Sequence, residues 1–202
     1  MNIAVASGKG GTGKTTVAAC LAANWDGPVT AVDLDVEEPT CTFFSNRKSW
    51  AGKQPKWKCR SATNPVKEKL SRMLDTSEGD VIIDAPPGVS CPAVNAVMDS
   101  DVVILVTEPT PFGLHDLKLA VEAFTPFTEH VGVVVISGKG GTGKTSLTGA
   151  FSYLAKLPFD EHAIEAVVQG RVITEYPDAP LSKLLCQAWA DIVGLVSLKN
   201  AA

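Results

Sequence analysis

Short apolar runs recur along the chain, separated by stretches in which apolar residues fall three and four positions apart. Residues 1–6, 29–33, 80–84, 101–107 and 131–136 are the runs. They are near-continuous rather than alternating, as strands buried on both faces are. Between them, Val17, Cys20, Leu21 and Asn24 follow a glycine-rich stretch at helical spacing. Leu114, Leu117, Val121 and Phe124 make one helical stripe, and Leu181, Leu184, Leu185, Ala188 and Ile192 make another. Strand runs alternating with helical patterns predict an α/β fold: a doubly wound, mostly parallel sheet flanked by helices. Residues 153–157 fit helix or strand equally well.

With 202 residues and 45% hydrophobic content, the chain can bury a full core without staples, and a single domain over 1–202 is expected. The formal net charge of −4 argues against wholesale nucleic-acid binding. No run of 18 apolar residues and no charged-then-apolar leader before Ile3 is present, so neither a membrane span nor a signal peptide is expected. Five cysteines without CxxC spacing point to a reduced, cytoplasmic protein. Residues 41–66 read as an irregular basic loop. Arg47, Lys48, Lys53, Lys56, Lys58 and Arg60 gather there with Trp50 and Trp57, a composition that single-stranded nucleic acid or an acidic partner also fits.

The chemistry concentrates where the first run ends. Ser7-Gly8-Lys9-Gly10-Gly11-Thr12-Gly13-Lys14-Thr15-Thr16 contains the spacing G-x-x-x-x-G-K-[ST] between a strand and a helix, the context a phosphate-binding loop requires. Glycines at Gly8, Gly10, Gly11 and Gly13 let backbone N–H groups converge on an anion. Lys14 reaches the β- and γ-phosphates in such a loop, Thr15 offers a hydroxyl to Mg²⁺, and the helix directs its positive end at the phosphates. Ligands of doubly wound sheets collect at the carboxyl ends of strands, which places Asp33 and Asp35, after the second run, beside that loop. Asp84 ends the next run and is the expected second carboxylate on the magnesium side.

Lys9 adds a second lysine inside the glycine run. The phrase Lys-Gly-Gly-Thr-Gly-Lys-Thr resembles the deviant phosphate-binding loop of the MinD/ParA family of ATPases, which includes the nitrogenase iron protein and the iron-sulfur carrier ATPases. Val-Asp-Leu-Asp-Val-Glu-Glu-Pro around Asp33 and Asp-Ala-Pro-Pro-Gly-Val-Ser-Cys-Pro from Asp84 are similar to that family's two switch segments. The resemblance is nearest to the MinD-like ATPases that usually carry a ferredoxin-type insert. Here only Cys41 and Cys59 lie in the corresponding region, without the CxxCxxCxxxCP pattern.

The resemblance implies a P-loop ATPase that binds ATP and Mg²⁺, hydrolyses slowly under the influence of a protein partner, and switches a homodimer between open and closed forms. It implies that Lys9 crosses the interface to the partner's nucleotide, that Asp33 holds Mg²⁺ through water, and that Asp35 orients the attacking water. Two other classes stay open. One is an iron-sulfur or metallocofactor carrier using Cys91, whose offset from Asp84 is similar to that of a cluster-ligating cysteine in the nitrogenase iron protein. The other is a non-hydrolysing nucleotide-binding module, because residues 137–145 repeat 7–15 without a change. The repeated segment, 137–151, stands where MinD-like ATPases carry an Asn-Arg segment that helps read adenine. Downstream of it no Asp-Leu-Asp segment supplies a second set of carboxylates, so one working site per chain is expected.

Overall fold

The structure is a computed structural model that describes residues 1–35, 57–61, 67–128, 130–136 and 153–199. Seven strands form one sheet: β1 (Asn2–Ala6), β2 (Val29–Asp33), β3 (Trp57–Ser61), β4 (Asp80–Asp84), β5 (Val102–Thr107), β6 (Val131–Ile136) and β7 (Tyr153–Leu157). Their order across the sheet is β3-β2-β4-β1-β5-β6-β7, and every pairing is parallel. The helices are α1 (Lys14–Ala23), α2 (Lys67–Asp75), α3 (Cys91–Met98), α4 (Pro111–Phe124), α5 (Glu161–Val168) and α6 (Pro180–Lys199), with a 3₁₀ turn at Ile173–Glu175. The doubly wound parallel architecture read from the sequence is the one observed.

The period-two geometry of a strand explains the continuous apolar runs. In β1, Ile3 and Val5 face one core with α1, Leu181 and Leu185 of α6, and Ile173. Ala4 and Ala6 face the other, with Leu70 of α2, Ala93 and Val97 of α3, and Leu117 and Phe124 of α4. Both faces are therefore covered, and alternation between apolar and polar residues has no place in the central strands. Among the described residues, no helix is long and apolar enough to cross a membrane.

One edge element differs from the sequence reading, and another settles a choice that the reading left open. Part of the expected irregular loop at 41–66 is the strand β3, paired in register with β2 from Val29↔Trp57 to Asp33↔Ser61. Its Trp-Lys-Cys-Arg-Ser sequence lacks the apolar continuity of the inner strands, and an edge position tolerates such charges. At the opposite edge, 153–157 resolves as strand rather than helix and stops just before Pro158. The remainder of the expected loop and the whole repeated segment at 137–151 lie outside the described residues.

Beyond β7 the chain is tied by Asp160. Its Oδ1 accepts from the His162 N–H at 3.1 Å and so caps α5, while Oδ2 accepts from the Leu181 N–H at 3.1 Å at the start of α6. One carboxylate therefore satisfies two helix starts. Asp160→Ala is expected to lower stability by about 2 kcal/mol, the sum of two lost caps of ordinary strength. A urea midpoint unchanged by that substitution would show that water replaces both bonds without penalty.

Candidate functional site

The strand register brings the predicted carboxylates to one level. Asp33 pairs with Asp84 across β2 and β4, and Val5 pairs with Asp84 across β1 and β4. The glycine loop leaves β1 just beyond that level, so Asp33, Asp84 and the loop share the carboxyl edge of three adjacent strands. The segment after Asp84 is bound to the loop directly, with the Gly88 N–H donating to the Ser7 carbonyl at 2.9 Å.

Backbone geometry dictates two of the glycines. Gly13 caps α1 with φ +89°, in the left-handed region that side chains disfavour. Gly8 passes so close to α4 that a Cβ there would sit 2.3 Å from the Asp116 carbonyl oxygen. The first turn of α1 carries no acidic residue, and its N-cap makes no side-chain hydrogen bond. This leaves the positive end of the helix to an anion from outside.

Burial sets the electrostatics. Asp84 is 2% exposed, and neither carboxylate oxygen has a hydrogen-bond partner. Desolvation pushes its pKa up to about 7. Thr15 draws it down without making a well-formed hydrogen bond, Asp33 and Asp35 add repulsion, and Lys14 counters with attraction. Lys14 is itself buried, and burial lowers its pKa against the opposing pull of Asp84, Asp35 and Asp33. The Asp35 N–H donates to Asp33 Oδ1 at 3.0 Å, fixing the backbone between the two acids. In the loop, the Thr12 hydroxyl is buried without a partner. Two buried carboxylates, one of them orphaned, with the half-buried Asp35 and a buried ammonium beside them, offer the oxygen donors that a hard divalent cation takes. No group of three or more His, Cys, Asp or Glu suited to holding a metal unaided occurs among the described residues. A cation here would take its remaining oxygens from Thr15, from water and from its ligand.

Lys14, Thr15, Asp33, Asp35 and Asp84 are thus brought together. Lys9 is turned away from them, with Nζ 2.7 Å from Glu108 Oε2 at the end of β5. Gly10 and Gly11 form the exposed tip of the loop, and Thr16 is half-buried in α1. Cys91 is exposed at the first residue of α3, while Cys20, in α1, is buried with its thiol pushed up to about 12 by desolvation. His115 lies exposed on α4. The sequence reading passed over Glu108. Its Glu-Pro segment registers only as a strand end, and nothing local pairs it with a lysine 99 residues earlier.

A glycine loop joining β1 to α1, two buried aspartates at neighbouring strand ends and a buried lysine among them define a phosphate-loop nucleotide-binding protein. Residues 3–121 match the CobQ/CobB/MinD/ParA nucleotide binding domain, and the chain belongs to that family. An uncharacterised protein of Methanocaldococcus jannaschii is 28% identical over 97 residues, a match covering 48% of this chain but only 34% of that protein. The iron-sulfur cluster carrier protein of Pyrococcus horikoshii is 28% identical, with 90% of this chain and 81% of that protein covered. Among solved structures, the septum site-determining protein MinD of Pyrococcus horikoshii, complexed with Mg-ADP, superposes with a TM-score of 0.81 at 19% identity, covering 98% of both chains. At that identity the likeness establishes the fold.

Proposed function

We propose that the chain binds Mg-ATP at the first glycine loop and hydrolyses it slowly, as a switch that closes a homodimer. The observation that carries this reading is the orphaned Asp84 carboxylate, buried beside Lys14 and Thr15 where a phosphate-bound cation would neutralise it. Thr15 and Asp84, with Asp33 through water, would hold Mg²⁺, whose contribution when bound is to neutralise charge on the phosphate oxygens. Lys14 and the N–H groups of the loop bind and orient the phosphates. Asp35, fixed to Asp33, orients the water that attacks the γ-phosphorus as its bond to the bridging oxygen of ADP breaks. Lys9 of a second copy supplies the remaining cation at that phosphate. Little covalent chemistry is asked of the protein, so positioning and charge carry the rate.

Calorimetry tests the assignment. The wild type is expected to bind about one Mg-ATP per chain. Lys14→Ala abolishes binding, while Lys144→Ala in the repeated loop leaves both binding and hydrolysis nearly intact. Unchanged affinity in Lys14→Ala removes the site from the first loop. Two ATP per chain, one of them lost with Lys144→Ala, makes the protein a double-site ATPase.

A second reading, carriage of an iron-sulfur cluster between two copies, rests on the exposed position of Cys91 directly after the Asp84 segment. The carrier relative from Pyrococcus horikoshii supports it as a class. Visible absorbance after anaerobic purification, lost in Cys91→Ser, is its signature. A non-hydrolysing module is separated from both by an assay for phosphate release.

A further inference from the structure

We propose that Glu108 is a latch that holds Lys9 in its own subunit and so sets how readily the site is completed in trans. This rests on the dimerising ATPase reading above. The Lys9 ammonium lies 2.7 Å from Glu108 Oε2, and it cannot serve a partner's nucleotide while it stays there. Both arms rise from packed and hydrogen-bonded backbone. On the lysine side, the loop backbone at Gly8 is packed against the Asp116 carbonyl with no space for a Cβ, and the Ser7 hydroxyl donates to the Lys9 carbonyl. On the glutamate side, the Thr110 N–H donates to the Glu108 carbonyl at 2.8 Å, and Thr107 Oγ1 donates to the Gly113 carbonyl at 3.0 Å. Releasing Lys9 therefore requires side-chain rotation alone, with no movement of the loop that carries Lys14.

The strength of the pair suits a latch rather than a structural bridge. Its side chains are 34% and 33% exposed, so water and salt weaken it. A pair this exposed shifts an equilibrium by about two- to fivefold. A homodimer that must open two such pairs is then weakened by about four- to twenty-five-fold. Binding of nucleotide with a second copy can overcome that bias, whereas chance encounter without nucleotide is held back. Glu108 touches no reacting atom here; it is a positioning residue acting through Lys9.

The test is Glu108→Gln, which keeps shape and removes charge, followed by sedimentation with a non-hydrolysable ATP analogue and by steady-state phosphate release. The expected result is dimerisation at about four- to twenty-five-fold lower protein concentration than wild type, with higher turnover at sub-saturating protein. Raising the salt concentration should bring the wild type toward the variant, because salt screens the pair that the variant lacks. A merely structural role would leave that salt response equal in the two proteins, and matched thermal unfolding would confirm that both are folded. If the wild type dimerises on the analogue and Glu108→Gln dimerises at the same concentration, the latch is overturned while the dimerising reading stands. If neither protein dimerises or hydrolyses, the reading beneath the latch fails and takes the latch with it.

Discussion

Lys9→Ala is expected to bind Mg-ATP with near wild-type affinity as a monomer and to lose about a thousandfold or more in turnover, the scale on which a cation supplied in trans acts in phosphoryl transfer. Two observations separate this effect from a folding defect. Lys9 makes its ion pair at a third-exposed position, so deleting it costs at most about 1 kcal/mol of stability. The ammonium buried among the carboxylates is that of Lys14, not Lys9, so the pocket beneath stays assembled. Wild-type turnover in Lys9→Ala, together with an ATP-bound monomer in sedimentation, would refute catalysis across an interface. It would leave Lys9 as a surface charge paired to Glu108.

How far the sequence exposed this arrangement depends on what each residue answers to. The inner strands were legible because two-sided burial makes apolar residues fall on both of their faces: Ile3 and Val5 serve one core, Ala4 and Ala6 the other. The glycine loop was legible because close approach and a left-handed backbone restrict which residues fit at Gly8 and Gly13. Asp33 and Asp84 could be placed at strand ends, and the parallel register then set them side by side. The edges resisted reading because only one side of an edge strand is paired. Lys58 and Arg60 in β3 carry charge that looks like a loop, and the five residues of β7 are too few to tell a strand from a helix by spacing.

Two contacts, one at the site and one beyond β7, had no local signature that reached both partners. The contact of Lys9 with Glu108 joins the loop after β1 to the end of β5, and no spacing rule reaches across 99 residues. The double cap by Asp160 links α5 to a helix that begins 20 positions further on, although Asp160 followed by Glu161 is the kind of pair that opens a helix. In both cases the fold creates the juxtaposition, and the side chains exploit it.

Asp84→Asn is expected to stabilise the nucleotide-free protein at pH 8 while abolishing the additional stabilisation that Mg-nucleotide gives the wild type. The folded-state pKa of Asp84 is raised by burial from 3.8 to about 7. The folded protein therefore holds a proton that the unfolded chain releases between those values, and Asp84 contributes less stability as pH rises through that window. At about 1.4 kcal/mol per pKa step, the full cost above pH 7 is about 4 kcal/mol, a figure from which the attraction to Lys14 has already been deducted. The gain from Asp84→Asn should thus be near zero at pH 4, grow through pH 5 and 6, and level off above about 7. Mg-nucleotide reverses the order, since a cation compensates the charge that burial leaves exposed and a neutral amide offers it nothing comparable. Thermal unfolding of both proteins at pH 4.5, 6 and 8, with and without Mg-ADP, reads every part of this. An asparagine variant less stable than wild type at pH 8 without ligand would mean that the Asp84 charge is already compensated inside the protein, and that the pocket is not held ready for a cation.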